Sequence, residues 1–212
     1  MARNYNQRAY IRESVAKYYA GRIAEFGSMA QGVDWKDETS QQLRHTQFLR
    51  LLERDYKASI LDYGCGYGDF LSFLRSNGYS GQYWGFDIAA EMLHAAKRLH
   101  GESSNTHWIG DTRSHSSTDF TVASGVFNVK RQFSFAAWND YVWSTVDEMD
   151  KISKKGFGFN MLSLHSDPEK RRGDLFYADP IVFLKKLVKL YGRKVALLQD
   201  YGLYEFTAIV RK

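Results

Sequence analysis

A chain of 212 residues with 29 Lys and Arg against 24 Asp and Glu carries a formal net charge of +5, with 44% apolar residues and only two prolines. That balance predicts one ordinary globular domain with a sizeable core and excludes collagen-like, low-complexity and disordered classes. One cysteine, Cys65, leaves no internal disulfide, no apolar run approaches the roughly 20 residues of a membrane span, and the first residues do not open a secretory signal, so a cytoplasmic protein is expected. Two helical stretches, near 8–26 and 38–54, stand ahead of everything else around a polar link that holds Trp35. From Ile60 onward short apolar runs alternate with helical patterns. The sequence predicts a strand at 60–63, a helix at 69–76 stopped by Asn77-Gly78, a strand at 83–88, and a helical stripe of Met92, Ala95, Ala96 and Leu99. Strands follow at 107–109 and 120–124, then a helix from about 136 to 152 and a buried strand at 156–164. Asp179-Pro180 supplies a cap and first-turn proline for a helix that Gly192 closes, and strands at 195–199 and 204–210 end the chain.

Strand and helix alternating through such short links predict a mostly parallel α/β sheet covered on both faces. The last two strands lie too close for a helical crossover, so they are expected to pair as an antiparallel hairpin at a sheet edge. The expected division is an N-terminal helical arm or cap at 1–57 and a ligand-binding sheet domain at 58–212. Charge is uneven, with 13 basic and 6 acidic side chains in residues 151–212. Lys185, Lys186 and Lys189 fall on the wet side of a helical repeat with Leu184 and Leu187, although an anionic partner would also suit such a segment.

Gly64-Cys65-Gly66-Tyr67-Gly68 leaves a strand and enters a helix, so a ligand can lie against bare backbone beside unpaired helix N–H groups. Asp87 ends the next strand, where a carboxylate accepts bonds from the hydroxyls of a ribose. A third polar cluster, Gly110-Asp111-Thr112, follows the strand after that. The spacing G-x-G-x-G is shorter than the dinucleotide G-x-G-x-x-G, and the 144 residues after Gly68 leave no room for a separate substrate lobe. A nicotinamide-dependent oxidoreductase is therefore a lesser alternative. Cys65 reads as a small filler, not a nucleophile.

The stretches ILDYGCGYGDF (60–70), YWGFDIAAEML (83–93), WIGD (108–111) and FTVASGVFN (120–128), with an edge hairpin from KVALLQD and LYEFTAIV, resemble the class I S-adenosylmethionine-dependent methyltransferases. The resemblance covers about residues 58–212 and implies a Rossmann-like doubly wound sheet. It further implies S-adenosyl-L-methionine as cofactor, with Gly64, Cys65 and Gly66 around its methionine portion and Asp87 on the ribose. Ile88 would pack on the adenine, Asp111 with Thr112 would meet the adenine amino group, and Ser124 with Gly125 would line the floor near the transferred methyl. Some small-molecule methyltransferases similar to this chain carry an arginine before the first strand, which puts Arg44 on the cofactor carboxylate.

The chain lacks the Asn/Asp-Pro-Pro-aromatic tetrad that the family's nucleic-acid and protein-amide amino methylators carry after the fourth strand. A small or medium-sized acceptor is expected, methylated on oxygen or nitrogen, without a metal. RNA or protein as acceptor, and an inactive cofactor-binding module, are the alternatives. Tyr19 and Trp35 of the arm are expected at the acceptor, because aromatic rings fence a sulfonium well, and Tyr177 is expected there from the polar loop after the fifth strand, where strand ends open towards the ligand. His165 is the candidate general base, since histidine titrates near neutral pH, and Asn128 the candidate orienting group.

Overall fold

The computed structural model describes residues 2–212 and contains one eight-stranded sheet with six α-helices. The strands are β1 (Ile60–Tyr63), β2 (Tyr83–Phe86), β3 (Thr106–Ile109), β4 (Thr118–Ala123), β5 (Ser153–Ser163), β6 (Tyr177–Ala178), β7 (Val195–Leu198) and β8 (Glu205–Arg211). They run in the order β3-β2-β1-β4-β5-β8-β7, with β6 beside the end of β5. The pairs among β1 to β5 are parallel, whereas β8 is antiparallel to both β5 and β7. This is the doubly wound, Rossmann-like arrangement with a terminal antiparallel hairpin. The strand β6 has only two residues, too few for any alternation to show in the sequence.

The helices are α1 (Ala2–Phe26), α2 (Glu38–Leu52), α3 (Asp69–Ser76), α4 (Ala90–His100), α5 (Phe135–Ile152) and α6 (Pro180–Tyr191). They cover the sheet in two layers, and alternate residues of β1 point into different cores as the pleat requires. Ile60 joins Phe48, Leu51, Phe70 and Leu74 on the side of α2 and α3. Leu61 and Tyr63 join Ile11, Trp138, Val142 and Phe183 on the side of α1, α5 and α6. The strand β5 shows the same division. Gly156 and Gly158 leave room for Leu51 and Phe48 of α2, while Phe157 and Phe159 fill the opposite core.

The N-terminal arm is not a loose appendage. Ile11, Val15 and Tyr19 form one stripe of α1 over the sheet core, and Arg12 ties it down through Glu148 of α5 at 2.6 Å and the Tyr63 hydroxyl at 2.6 Å. After α1 a single 3-10 turn, Ala30–Val33, ends at Asp34 in the left-handed conformation, φ 61°. Asp37 then caps α2 by accepting from the Ser40 amide at 2.8 Å. No helix among the described residues is long and apolar enough to cross a membrane.

Candidate functional site

The parallel strands β1, β2 and β4 all end at one edge, and the loops that leave them enclose a cleft of about 830 Å³, counting the part open to solvent. Gly64, Gly66 and Gly68 have φ of 81°, 54° and 88°, a region that side-chain-bearing residues rarely adopt. The amides of Gly64 and Cys65 both donate to the Phe86 carbonyl, at 2.7 and 2.9 Å, so the loop is bound to the end of β2. Asp87 completes that junction: one carboxylate oxygen accepts from the Gly66 amide at 2.9 Å and the other from the Ala89 amide at 2.9 Å. Loop and acid are therefore built as one unit.

Two buried carboxylates line the cleft. Burial pushes the Asp87 carboxyl up to about 6 against the pull of its backbone donors. Burial likewise raises Asp62 to about 7; the Tyr83 hydroxyl, donating at 2.6 Å, opposes this and the neighbouring Asp87 adds to it. Burial also raises the Cys65 thiol, with Asp87 and Asp62 adding to the effect, which leaves Cys65 a protonated filler of the cleft wall.

The sheet end at β4 supplies the opposite wall. The Gly125 amide donates to Asn160 Oδ1 at 2.6 Å, and Asn160 Nδ2 reaches Ser124 Oγ at 3.5 Å. Asn160 is fully buried in β5 and sets the Ser124–Gly125 turn. A polar residue in the apolar run GFGFNMLSL was the available sign of that role.

The arm roofs the cleft by pressing onto two glycines. A side chain at Gly125 would sit 2.4 Å from the Trp35 ring, and one at Gly66 would sit 3.0 Å from Val33. Trp35 is stacked on the Arg44 guanidinium, whose carbon lies 4.0 Å from the ring centroid. Beyond Trp35 a second cavity of about 940 Å³, again counting its open part, shares Tyr19, Val33, Trp35 and Gly125 with the first. Its far side carries Tyr18, Arg22, Asn128 and Leu162. Asp34, the carboxylate in its wall, is paired with Arg22 at 2.8 Å.

Of the residues expected at the cofactor, Gly64, Cys65, Gly66, Asp87, Ile88, Ser124 and Gly125 come together in the cleft. Three others stand elsewhere. Arg44 faces β8, where it pairs with fully buried Glu205 at 2.5 Å and lines only the second cavity. On α2 it is Gln41 and His45, one turn apart, that face the cleft. Asp111 caps the turn after β3 and accepts from the Arg113 amide at 2.9 Å; its bonds with Arg113 hold it at about 2, and it is not part of the cleft wall. Thr112, also outside that wall, donates to Glu148 at 2.6 Å.

Among the acceptor-side residues, Tyr19 and Trp35 line both cavities and Asn128 lines the second. The Asn128 side-chain oxygen accepts from the Leu162 amide at 3.1 Å, a bond that fixes the end of β5. His165 lies exposed on the turn after β5, outside both cavities, so the expected base does not reach the site. Tyr177 is also outside, its hydroxyl accepting from the Arg172 amide at 3.0 Å. Asp62, Gln41, Tyr67 and Asp69 line the cleft without having been singled out. Only their nearness to the glycine loop could have flagged the last two. No cluster of three metal-ligating side chains occurs among the described residues.

A glycine loop at the end of a first parallel strand, coupled to an acid at the end of the second, defines a Rossmann-like nucleoside-binding site. A family model described as a methyltransferase domain matches residues 36–164. The putative methyltransferase Rv1506c of Mycobacterium tuberculosis (strain ATCC 25618 / H37Rv) is 40% identical over 164 residues, covering 77% of this chain and 99% of that protein. The chain belongs to the methyltransferase-domain family, a family of S-adenosylmethionine-dependent enzymes. Among solved structures it shares its fold with a DhpI-SAM-HEP complex at TM-score 0.64 and 16% identity, over 94% of this chain and 96% of the other. It shares it also with the N-methyltransferase NodS of Bradyrhizobium japonicum WM9 bound to S-adenosyl-L-homocysteine, at TM-score 0.58 and 19% identity, over 84% and 89% of the two chains.

Proposed function

We infer that this enzyme moves a methyl group from S-adenosylmethionine, held in the glycine-loop cleft, to a small or medium-sized acceptor in the adjoining cavity. The observation that carries this reading is the shared wall: Tyr19, Val33, Trp35 and Gly125 border both spaces, so reacting atoms on its two sides can meet. The donor fits the first space chemically, since a cationic nucleoside suits a cleft whose buried carboxylates, Asp62 and Asp87, have no cation against them among their described partners. When bound, the donor supplies an electrophilic methyl carbon for in-line displacement, and the protein's task is alignment and exclusion of water.

Gly64, Cys65 and Gly66 present backbone to the amino-acid portion, and Asp87 accepts from the ribose hydroxyls. Ile88 and Met92 give the base an apolar wall. Asn160 holds the Ser124–Gly125 turn beneath the methyl. The 1–57 arm acts as the cap, through Val33 and Trp35. An acceptor amine attacks without a base once it is uncharged, whereas an acceptor hydroxyl must give up its proton, and the acid in the second cavity, Asp34, is already paired with Arg22.

The test is incubation with methyl-labelled S-adenosylmethionine and, in separate arms, a panel of small phenols, alcohols, amines and carboxylates, total RNA, and a protein mixture. Label transferred to one chemical class, above the rate without acceptor, is the expected result. Transfer to RNA or protein alone would replace the small acceptor. No transfer, with the cofactor bound, would favour a non-catalytic binding module.

A further inference from the structure

The second cavity has an outer end that the methyl transfer itself leaves unused. It continues past Tyr18, Val129 and Arg172 into a recess of about 900 Å³, counting its open part, whose walls include Arg131, Gly173 and Asp174. Gly125 stands at the inner end of this path and Arg131 at the outer end, so the two lie within roughly 22 Å, the reach of six extended residues. Backbone bonds fix the recess. The Phe176 amide donates to the Asn128 carbonyl and the Arg131 amide to the Asp174 carbonyl, each at 2.8 Å, and the Arg172 amide donates to the Tyr177 hydroxyl at 3.0 Å. Arg131 holds φ 52°, a left-handed conformation that glycine or asparagine adopts more easily. Its guanidinium carbon lies 4.7 Å from the centroid of the Tyr18 ring, which borders both spaces.

Charge changes along the path. In the wall of the second cavity the cations are matched: Arg22 by Asp34 at 2.8 Å, Arg44 by Glu205 at 2.5 Å, and Lys36 by Asp37 at 4.0 Å. Val129, Leu162 and Leu175 then make an apolar stretch. At the outer end Arg172 pairs with Asp174 at 2.5 Å, and the Lys130 Nζ donates to the Gly173 carbonyl at 2.6 Å. The Arg172 bond holds Asp174 below the ordinary carboxylate range, with Lys130 adding to the effect, so that acid is ionised at neutral pH. Among the described residues no carboxylate pairs with Lys130 or Arg131, so three cations face one acid, a surplus of two charges. The Arg172 side chain is 64% exposed and within reach of a ligand. Guanidinium groups take up oxyanions through parallel N–H bonds.

We propose that the methyl acceptor is an anion with an apolar middle, its oxyanion held in the outer recess by Arg131 and Arg172 while its reacting atom stands at the Trp35–Gly125 wall. This assignment rests on the methyl-transfer reading above and narrows its acceptor. A phosphate monoester, with about two negative charges near neutral pH, matches the surplus in the recess, whereas a carboxylate matches half of it. The site therefore prefers phosphate to carboxylate, and either to a neutral compound of the same shape.

The test is calorimetric titration of the full chain, saturated with S-adenosylhomocysteine so that the glycine loop is filled, with three probes that share a phenyl group: 3-phenylpropyl phosphate, 4-phenylbutanoate and 3-phenylpropanol. The phosphate should bind about tenfold more tightly than the alcohol, with the carboxylate between them. The double variant Arg131→Asn with Arg172→Gln, in which asparagine suits the left-handed position, should bring all three probes within about twofold of the alcohol, whose own affinity stays unchanged. In the wild type, raising salt from about 50 to about 500 mM should weaken the phosphate probe and leave the alcohol alone, a readout that does not depend on how the variants fold. Lys185→Gln with Lys189→Gln, on the exposed face of α6, should change none of these affinities. An alcohol that binds as well as the phosphate, a carboxylate that binds better, or a phosphate probe that does not bind at all would overturn the proposal. So would a preference that survives the arginine variant or falls equally in the α6 variant, since the anion would then answer only to overall charge. Absence of S-adenosylhomocysteine binding would instead refute the methyl-donor reading, and the same titrations without it would still decide whether the recess takes an anion.

Discussion

Replacement of Asp87 by asparagine separates ligand binding from fold stability, because the two should respond in opposite directions to pH. The carboxylate accepts from two backbone amides, Gly66 and Ala89, each at 2.9 Å, and burial raises its pKa from 3.8 to about 6. Keeping it ionised at neutral pH costs about 3 kcal/mol at 1.36 kcal/mol per unit. Asparagine retains one acceptor oxygen and turns an amide group towards the second backbone donor, losing a charge-assisted bond worth about 1.5–3 kcal/mol. Loss and relief nearly cancel, so Asp87→Asn should stay folded at neutral pH. Ligand affinity has no such relief: ribose hydroxyls lose a charged acceptor, and S-adenosylhomocysteine should bind about 1–3 kcal/mol more weakly, roughly 5- to 150-fold. In the wild type, affinity should climb as the pH rises through about 6 and the carboxylate ionises, whereas the contribution of Asp87 to stability is complete below 3.8 and is lost as pH rises through about 6. Calorimetry between pH 5 and 8, with thermal melts of the unliganded proteins, measures both. Unchanged affinity in a folded Asp87→Asn protein would refute this placement of the ribose.

Asp62→Asn should stabilise the protein at neutral pH and flatten its stability profile between 3.8 and about 7, because asparagine still accepts from Tyr83 without a charge to bury; melting temperature against pH reads this directly. Arg44→Ala should destabilise by about 3–5 kcal/mol in urea titration, since it strands the buried Glu205 carboxylate. Gly125→Ala should expel Trp35 from its seat, for the new methyl would lie 2.4 Å from the ring at a φ of 77°; altered tryptophan fluorescence with a loss of about 1–3 kcal/mol is expected.

Much of this was legible from local pattern. The glycine loop, Asp87 and the Ser124–Gly125 turn are each defined by neighbours in the chain, so their meeting follows once the parallel order of the sheet is known. The parallel pairing of β1 to β5 and the antiparallel pairing of β7 with β8 follow from strand–helix alternation and a final pair of strands too close for a crossover; the order β3-β2-β1-β4-β5 does not. What escaped depends on rotation and on distant partners. One residue is a 100° turn of a helix, enough to swing Arg44 from the cleft to a carboxylate on β8, 161 positions away, and to bring His45 in instead. His165 follows a strand end yet is exposed, in a turn held by bonds from the His165 amide to Ser163 Oγ and from Ser166 Oγ to the Ser163 carbonyl, a local closure that residue types at a strand end do not foretell. The roof over both spaces depends on a left-handed Asp34 in a polar link, a conformation that the residue type permits without announcing it.

The central claim is that two adjoining spaces, separated by Trp35 and Gly125, hold the donor and acceptor of a methyl transfer. It is met most directly by a crystal structure grown with S-adenosylhomocysteine. The ribose should lie on Asp87, the amino-acid end across Gly64–Gly66, and the sulfur should face the Trp35–Gly125 wall of the second cavity. A ligand seated elsewhere, or bound in the cleft with its sulfur turned away from that wall, would contradict it.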